Sequence, residues 1–197
     1  MNHGCRKCRR EGVKLFLKGE KCFSAKCPVS TRPYAPGQHG PSSFTKLSEY
    51  GKQLREKQKV ARIYGLSETQ LKNYYQKATK MAGDKSENLV RLLETRLDSI
   101  IYRLGFFPSR STARQTVSHK FFAVNGRSVN IPSHIITNKD EISVSPSKKV
   151  AVPENVNIPS WISFDQKKLI AKLKALPNKE EIELPFDINL VIEYYSR

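Results

Sequence analysis

Residues 109–130 read Ser109-Arg110-Ser111-Thr112-Ala113-Arg114-Gln115-Thr116-Val117-Ser118-His119-Lys120-Phe121-Phe122-Ala123-Val124-Asn125-Gly126-Arg127-Ser128-Val129-Asn130, and the fold is parsed outward from them. Ser109 to His119 reads as a short helix, with Thr112 and Gln115 at capping-box spacing. Two β-prone runs, Phe121–Val124 and Arg127–Asn130, flank Asn125-Gly126. That dipeptide predicts a hairpin, because a type I′ turn needs positive φ at both central positions. Ile142-Ser143-Val144 reads as another strand. A helix on a small antiparallel sheet is therefore expected. From Gly105 to Lys139 there are five basic residues, Arg110, Arg114, Lys120, Arg127 and Lys139, and no acid. Arg110 and Arg114 stand one helical turn apart, Lys120 at the helix-to-strand junction and Arg127 just after the turn. Along one edge, such groups can follow the phosphates of folded RNA. Scattered surface charge is the bland alternative, and the lack of counter-charge weakens it.

Upstream the texture is helical. Ser48 is an N-cap with Glu49 in the first turn, and the helix stops at Gly65. Leu47, Leu54, Ala61 and Tyr64 are its inward candidates. Lys52, Arg55, Lys59 and Arg62, at three- and four-residue spacing, stack along one face. Ser67-Glu68-Thr69-Gln70 fits a capping box opening a second helix through about Ala82. After Ser86 the stripe Leu89, Leu93, Leu97, Ile100, Ile101 and Leu104 predicts a third helix, ended by Gly105. Tyr50, Tyr64, Tyr74 and Tyr75 fall at helical spacing, which favours packing over base stacking. Downstream, residues 145–160 read as irregular, Trp161–Leu176 as including a helix, and Ile188–Tyr195 as a buried strand or short helix. Glu180, Glu181, Glu183 and Asp187 form an acidic patch, either a solvated face or a seat for a basic protein.

Residues 1–46 show no sustained period and read as loops organised by something other than a core. Arg32 to Pro41 is a turn-dense connector around Gly37-Gln38-His39-Gly40. All four cysteines lie here, as Cys5-x2-Cys8 and Cys22-x4-Cys27. Paired thiolates of this kind suit a tetrahedral, closed and therefore structural zinc site. Arg6, Lys7, Arg9 and Arg10 would offset the charge of four thiolates. Two disulfides are the alternative, disfavoured because no export signal reads at the start. A redox role for the first pair lacks a βαβ context. His3 could compete as a ligand.

Charge bounds the partners. Across 197 residues, 35 Lys and Arg oppose 18 Asp and Glu, giving +17 at pH 7. Residues 1–62 hold 15 basic and 4 acidic side chains, so the excess concentrates there. A polyanion is the implied partner. A membrane is not, since no run approaches the ~20 apolar residues of a spanning helix.

The motif Ser109–Gln115, with His119-Lys120 and Val124-Asn125-Gly126-Arg127-Ser128-Val129-Asn130-Ile131-Pro132-Ser133, resembles the RNA-binding module named after ribosomal protein S4. That module also occurs in some pseudouridine synthases and aminoacyl-tRNA synthetases. The remaining motifs resemble the S4 ribosomal family itself along nearly the whole chain: Arg9-Arg10-Glu11-Gly12, Leu17-Lys18-Gly19, Arg32-Pro33-Tyr34, Pro36–Gly40, Leu47–Gly51, Gln53–Lys59, Leu97–Phe106 and Glu193–Arg197. The cysteine segment is similar to the zinc-containing bacterial type. Between Gly40 and Leu47, where that family is rich in Arg and Lys, this chain has only Lys46.

The resemblance implies an α+β chain with a zinc-bound segment (1–46), a helical domain (47–92 plus 184–197) and an inserted module with antiparallel strands (93–183). It implies a constituent of the 30S subunit that binds 16S ribosomal RNA directly, nucleates assembly of the subunit body and contributes to translational accuracy. Ribosomal protein S5 is an implied neighbour, messenger RNA is implied where it enters the subunit, and the place is the cytoplasm, on the ribosome. One structural zinc on Cys5, Cys8, Cys22 and Cys27 is the implied cofactor. The candidate RNA-binding residues are Arg6, Lys7, Arg9, Arg10, Lys14, Lys18, Arg32, His39, Lys52, Arg55, Lys59, Arg62, Arg110, Arg114, His119, Lys120 and Arg127. No enzyme is expected: no phosphate loop, dinucleotide fingerprint or nucleophile–base pair is discernible. An RNA-modifying enzyme would need a catalytic domain that the residues after Val144 do not provide. A zinc DNA-binding regulator would need a groove-reading helix.

Overall fold

The computed structural model describes residues 4–42, 46–146, 148, 150, 158–182 and 184–197. In chain order the helices are α1 (Gly4–Glu11), α2 (Glu20–Phe23), α3 (Pro28–Thr31), α4 (Glu49–Ile63), α5 (Glu68–Lys80), α6 (Lys85–Glu94), α7 (Leu97–Arg103), α8 (Arg110–Ser118) and α9 (Ile188–Ser196). The strands are β1 (Phe122–Val124), β2 (Arg127–Val129), β3 (Glu141–Val144), β4 (Ile162–Asp165) and β5 (Ile170–Leu173), with a 3-10 turn at Lys179–Glu181. The chain divides into two compact units, residues 1–86 with 183–197, and residues 87–182. Among the described residues no helix is long and apolar enough to cross a membrane.

In the first unit Ser48 Oγ accepts the Gly51 N–H at 3.2 Å and so caps α4. Ser67 and Gln70 close both halves of the expected capping box on α5. Ala61 and Tyr64 are buried as expected, but Leu47 is exposed and Leu54 half-buried. The inner face of α4 instead carries Gln53 and Lys57, because α9 and the start of α5 bring polar groups to meet them. Gln53 Nε2 donates to Glu193 Oε2 at 2.9 Å, and Lys57 Nζ to Glu68 Oε2 at 2.7 Å. The Lys57 ammonium also lies 4.4 Å from the Tyr194 ring centroid. Tyr195 stacks on Tyr75 at 5.0 Å and donates its hydroxyl to Glu68 Oε1 at 2.8 Å. Residues 188–195, open between strand and helix in sequence, are helical, started by Asp187, whose Oδ1 accepts the Asn189 N–H. Asp187 is thus a cap rather than part of an acidic face; Glu183 of that patch lies outside the described residues. Tyr74 is buried and Tyr50 exposed beside Tyr194.

The expectation of loops alone before residue 46 is corrected: three short helices form there. Period counting misses them because α2 and α3 are four residues each, and α1 buries only Cys8. Position 40 tolerates only glycine, since an added Cβ would lie 2.0 Å from the Ala35 carbonyl oxygen. Residues 43–45 of the weakly basic loop, and His3, lie outside the described residues.

The second unit holds most of α6, then α7 and α8, with an antiparallel five-stranded sheet of order β2-β1-β3-β5-β4. Asn125 and Gly126 have φ of 50° and 76°, and Val124 pairs with Arg127, so the hairpin forms as expected. Ser109 caps α8, accepting from Thr112 N–H; Thr112 and Gln115 are interior to the helix. Two expectations fail. The stripe from Leu89 to Leu104 is split between α6 and α7, because residues 131–136 intrude at Thr95-Arg96. Arg96 bridges Ile135, Ile136 N–H donates to Thr95 O at 2.9 Å, and Leu97 N–H to His134 O at 2.8 Å. The hydrophobic face persists through the break, so periodicity cannot register it. Trp161–Leu176 holds two strands and no helix: Asp165 Oδ1 accepts from Lys167 and Lys168 N–H, turning the chain from β4 into β5. Leu97, Ile100, Ile101, Leu104, Ala113, Val117, Phe122, Ile142 and Trp161 form the core. Much of the irregular stretch at 145–160 lies outside the described residues.

Candidate nucleic-acid interface

In the second unit, alternation along β1 sends Phe122 and Val124 into the core and Ala123 to the other face. Ala123 stands opposite Ser128. These small side chains, with Gly126, Ser145 and Pro146, line a cleft of about 360 Å³ whose other walls are His119, Lys120 and Lys148. Lys120 has φ 60°, outside the usual range for a side-chain-bearing residue, where helix turns into strand. The turn is held by Ser145, whose hydroxyl donates to Lys120 O at 3.0 Å and whose N–H donates to Phe121 O at 2.8 Å. Lys148 sits 5.0 Å from the Phe121 ring centroid. Small neutral side chains flanked by Lys120 and Lys148 leave room for an anionic group at the sheet surface. Arg127 is exposed on β2 in the same hairpin.

Arg110 and Arg114 are placed differently from Lys120. Arg110 donates to Glu94 Oε1 at 3.1 Å and lies 4.4 Å from the Tyr102 ring. Glu94, fully buried, also takes both hydrogen bonds of the Arg103 fork at 3.0 and 2.8 Å. Asp98 is gripped the same way by Arg96 at 2.9 and 2.6 Å, with Arg114 at 3.9 Å. Both Arg110 and Arg114 are half-buried, so they fix α8 while offering part of each guanidinium to solvent. The hairpin's far end is held by Asp140, which accepts from Thr137 N–H (2.8 Å), Thr137 Oγ1 (2.7 Å) and Asn125 Nδ2 (2.7 Å). The Thr137 bonds, backbone first, hold its carboxyl below the ordinary aspartate value.

In the first unit the cations again fall into two groups. Arg9 Nε donates to the carbonyls of Arg32 (3.1 Å) and Tyr34 (3.0 Å), and its guanidinium lies 4.7 Å from the Tyr34 ring; it clamps the connector onto α1. Arg55 and Arg62 both reach Glu11, whose side chain is fully buried. Burial raises the Glu11 carboxyl above its ordinary value and outweighs Arg62 and Arg55, which lower it. Lys52 pairs with Glu49 at 2.6 Å and Lys59 with Glu56 at 2.5 Å. By contrast Arg6, Lys7, Arg10, Lys14, Lys18, Arg32 and His39 make no ion pair among the described residues, and nor do His119, Lys120 and Arg127 of the second unit. Arg10, Lys52, Arg55 and Lys59 line a second cleft of about 580 Å³, with Leu47, Leu54 and Leu190. Sequence reading missed Lys148 and the carboxylates Glu11, Glu94 and Asp98 that hold the arginines. Only an acid count near each arginine could have pointed to the latter.

The four cysteines are free thiols, so no disulfide links them. Cys5 and Cys8 lie one turn apart on α1, Cys22 lies in α2, and Cys27 precedes α3. Cys8, Cys22 and Cys27 are buried and Cys5 half-buried. Lys18 N–H donates to Cys22 Sγ at 3.4 Å. Burial pushes the Cys8 thiol up, and the neighbouring Cys22, Cys5 and Cys27 add to it, offset in part by a Leu15 backbone hydrogen bond. Among the described residues no three His, Cys, Asp or Glu stand in an arrangement that could hold a metal ion. Among described residues 4–42, the buried apolar side chains are Leu15 and these three cysteines, too little for a core.

Comparison with known proteins agrees with this geometry. Residues 1–94 match the family described as Ribosomal protein S4/S9 N-terminal domain, and residues 95–142 match the S4 domain. The chain is 52% identical over 200 residues to Small ribosomal subunit protein uS4A of Alkaliphilus oremlandii, covering 98% of this chain and 96% of that protein. It is 50% identical to uS4 of Caldicellulosiruptor saccharolyticus and 49% identical to uS4 of Dictyoglomus thermophilum, with the same coverage.

Proposed function

The chain belongs to the uS4 family of small ribosomal subunit proteins, and from that premise we propose that it is an RNA-binding structural constituent of the 30S subunit. It is not an enzyme; its work is to hold folded 16S ribosomal RNA by charge and shape. The observation that carries this reading is the cleft walled by the cations Lys120 and Lys148, with His119, beside the β1–β2 hairpin, in a stretch from Gly105 to Lys139 that includes no acid. A rigid hairpin presents these groups without the entropy cost of ordering a loop. We infer that the protein binds the 5′ domain of 16S RNA early in assembly, in the cytoplasm, next to ribosomal protein S5 and where messenger RNA enters. The family resemblance supports these finer points.

One structural zinc on Cys5, Cys8, Cys22 and Cys27 belongs to the same reading. Among the described residues the thiols do not stand in a metal-holding arrangement, so the support for zinc lies elsewhere. It is the Cys5-x2-Cys8 and Cys22-x4-Cys27 spacing, the nearness of the other three thiols to Cys8, and a segment without a core, which a closed thiolate site would tie to α1. Native mass spectrometry should find one zinc per chain, lost in Cys8→Ser.

Binding to the 5′-domain fragment should fall steeply with salt. A protein neutralising ~6–10 phosphates loses ~10³–10⁵ in affinity between 50 and 200 mM salt. A flat salt response would remove the charge-based reading.

A further inference from the structure

Phe23 is 74% exposed, the most exposed large apolar side chain among the described residues. Its ring lies 5.0 Å from that of Phe16, with an interplanar angle of 32°. Phe16 has φ 51°, a left-handed backbone that a bulky side chain adopts only under constraint. The constraint is visible on both sides. Leu15 is buried before it, and Lys18 N–H is tied to Cys22 Sγ after it, which leaves Phe16 directed at Phe23. Two rings are thus held together outside any core.

Their surroundings select the occupant. Lys14, Lys18, Lys21 and Lys26 flank the two phenylalanines in the chain, and Glu20 is the only acid between Glu11 and Glu49. A basic neighbouring protein would be repelled here, and an apolar one would leave the ammonium groups without counter-charge. A polyanion with flat, apolar faces satisfies both features: an RNA strand that stacks an unpaired base on Phe23 while its phosphates meet the lysines. We propose that the Phe16–Phe23 pair is a stacking platform for one unpaired nucleobase of the bound RNA. This rests on the RNA-binding function and names a contact that charge alone does not provide.

The test uses the full chain and the 5′-domain fragment of 16S RNA. Phe23→Ala should weaken binding about 5- to 150-fold, the span for one stacked base, with the salt slope unchanged because no phosphate contact is lost. Phe23→Trp should restore affinity, and its indole fluorescence, measured against the Trp161 background of the unaltered chain, should be quenched when RNA binds. An unchanged affinity in Phe23→Ala overturns the platform, as does tight binding of Phe23→Trp without quenching. A drop accompanied by a shallower salt slope also overturns it, since the loss would then be electrostatic. If the unaltered chain fails to bind the fragment, the RNA-binding function falls first and the platform with it. Phe23 contributes to no core, so both variants should fold, and far-UV circular dichroism checks that they do.

Discussion

Residues 4–42 and residues 87–182 both display exposed cations, yet they hold them up by different means. In the module, Leu97, Ile100, Leu104, Phe122 and Trp161 are all but fully buried, and Lys120 and Arg127 stand on a hairpin backed by that core. In the N-terminal segment, Leu15 has only cysteines for buried company. Order comes from Arg9 bonded to three carbonyls, from thiols gathered around Cys8, and from Glu11 beneath Arg55 and Arg62. Crowded positive charge opposes compaction. Where apolar burial can overcome that repulsion a core carries the cations; where it cannot, a few polar fastenings, Arg9 and Glu11 above all, must hold the backbone that presents the rest.

The strongest way to break this contrast is to remove the proposed metal. Structural zinc supplies apparent binding energies of ~10–16 kcal/mol to peptides of this kind, so Cys8→Ser or a chelator should abolish ordered structure in residues 4–42. Hydrogen exchange should show amide protection lost there and retained across β1–β5. Protection that survives in the first segment would mean that its polar fastenings suffice without the ion.

The same contrast explains what is legible in the sequence and what is not. Ser48, Ser67 and the Asn125-Gly126 turn can be read because caps and tight turns are local chemistry. The break at Thr95-Arg96 cannot, since it is imposed by residues 131–136, about 40 positions away, without changing the apolar period. The strands after Trp161 cannot, because β4 and β5 are four residues each and the intervening Gln166-Lys167-Lys168 resembles a helix surface as readily as a turn. At the site, the cationic residues are visible in the sequence, but their division into fasteners and presenters is not. Arg9 and Lys120 carry the same charge. Arg9 binds its own chain's carbonyls, whereas Lys120 lines an open cleft.

A smaller effect separates the fasteners within the module from its core. Glu94 is fully buried and holds Arg103 through two hydrogen bonds and Arg110 through a third. Removing one partner of a buried ion pair costs ~3–5 kcal/mol, because the charges left behind lose their compensation. Glu94→Ala should therefore lower the stability of the module by about that amount in urea denaturation, and should weaken RNA binding through the displacement of α8. If stability is unchanged, the apolar core alone positions the helix, and the contrast with residues 4–42 sharpens.

The smallest effect is a pH dependence in the hairpin. Asp140 accepts from Thr137 and Asn125, and these bonds hold its carboxyl below the ordinary value. A carboxylate whose folded pKa is depressed binds its proton more weakly in the native state than in the unfolded one. Its contribution is fully present above the unfolded value, near 3.8, and is lost as pH falls through the lower folded value. Asp140 lies near the surface, so solvent screens the interaction. Asp140→Asn should accordingly cost no more than about 1 kcal/mol at neutral pH, the net worth of a hydrogen bond or two at such a site. The difference in stability between the two proteins should shrink below about pH 4, where the unaltered chain takes up the proton. A difference that stays constant down to about pH 2 would show that Asn125 and the β1–β2 pairing fix the hairpin without the carboxylate. The cations at Lys120 and Arg127 would then owe their placement to backbone geometry and the core beneath it, a support that residues 4–42 lack.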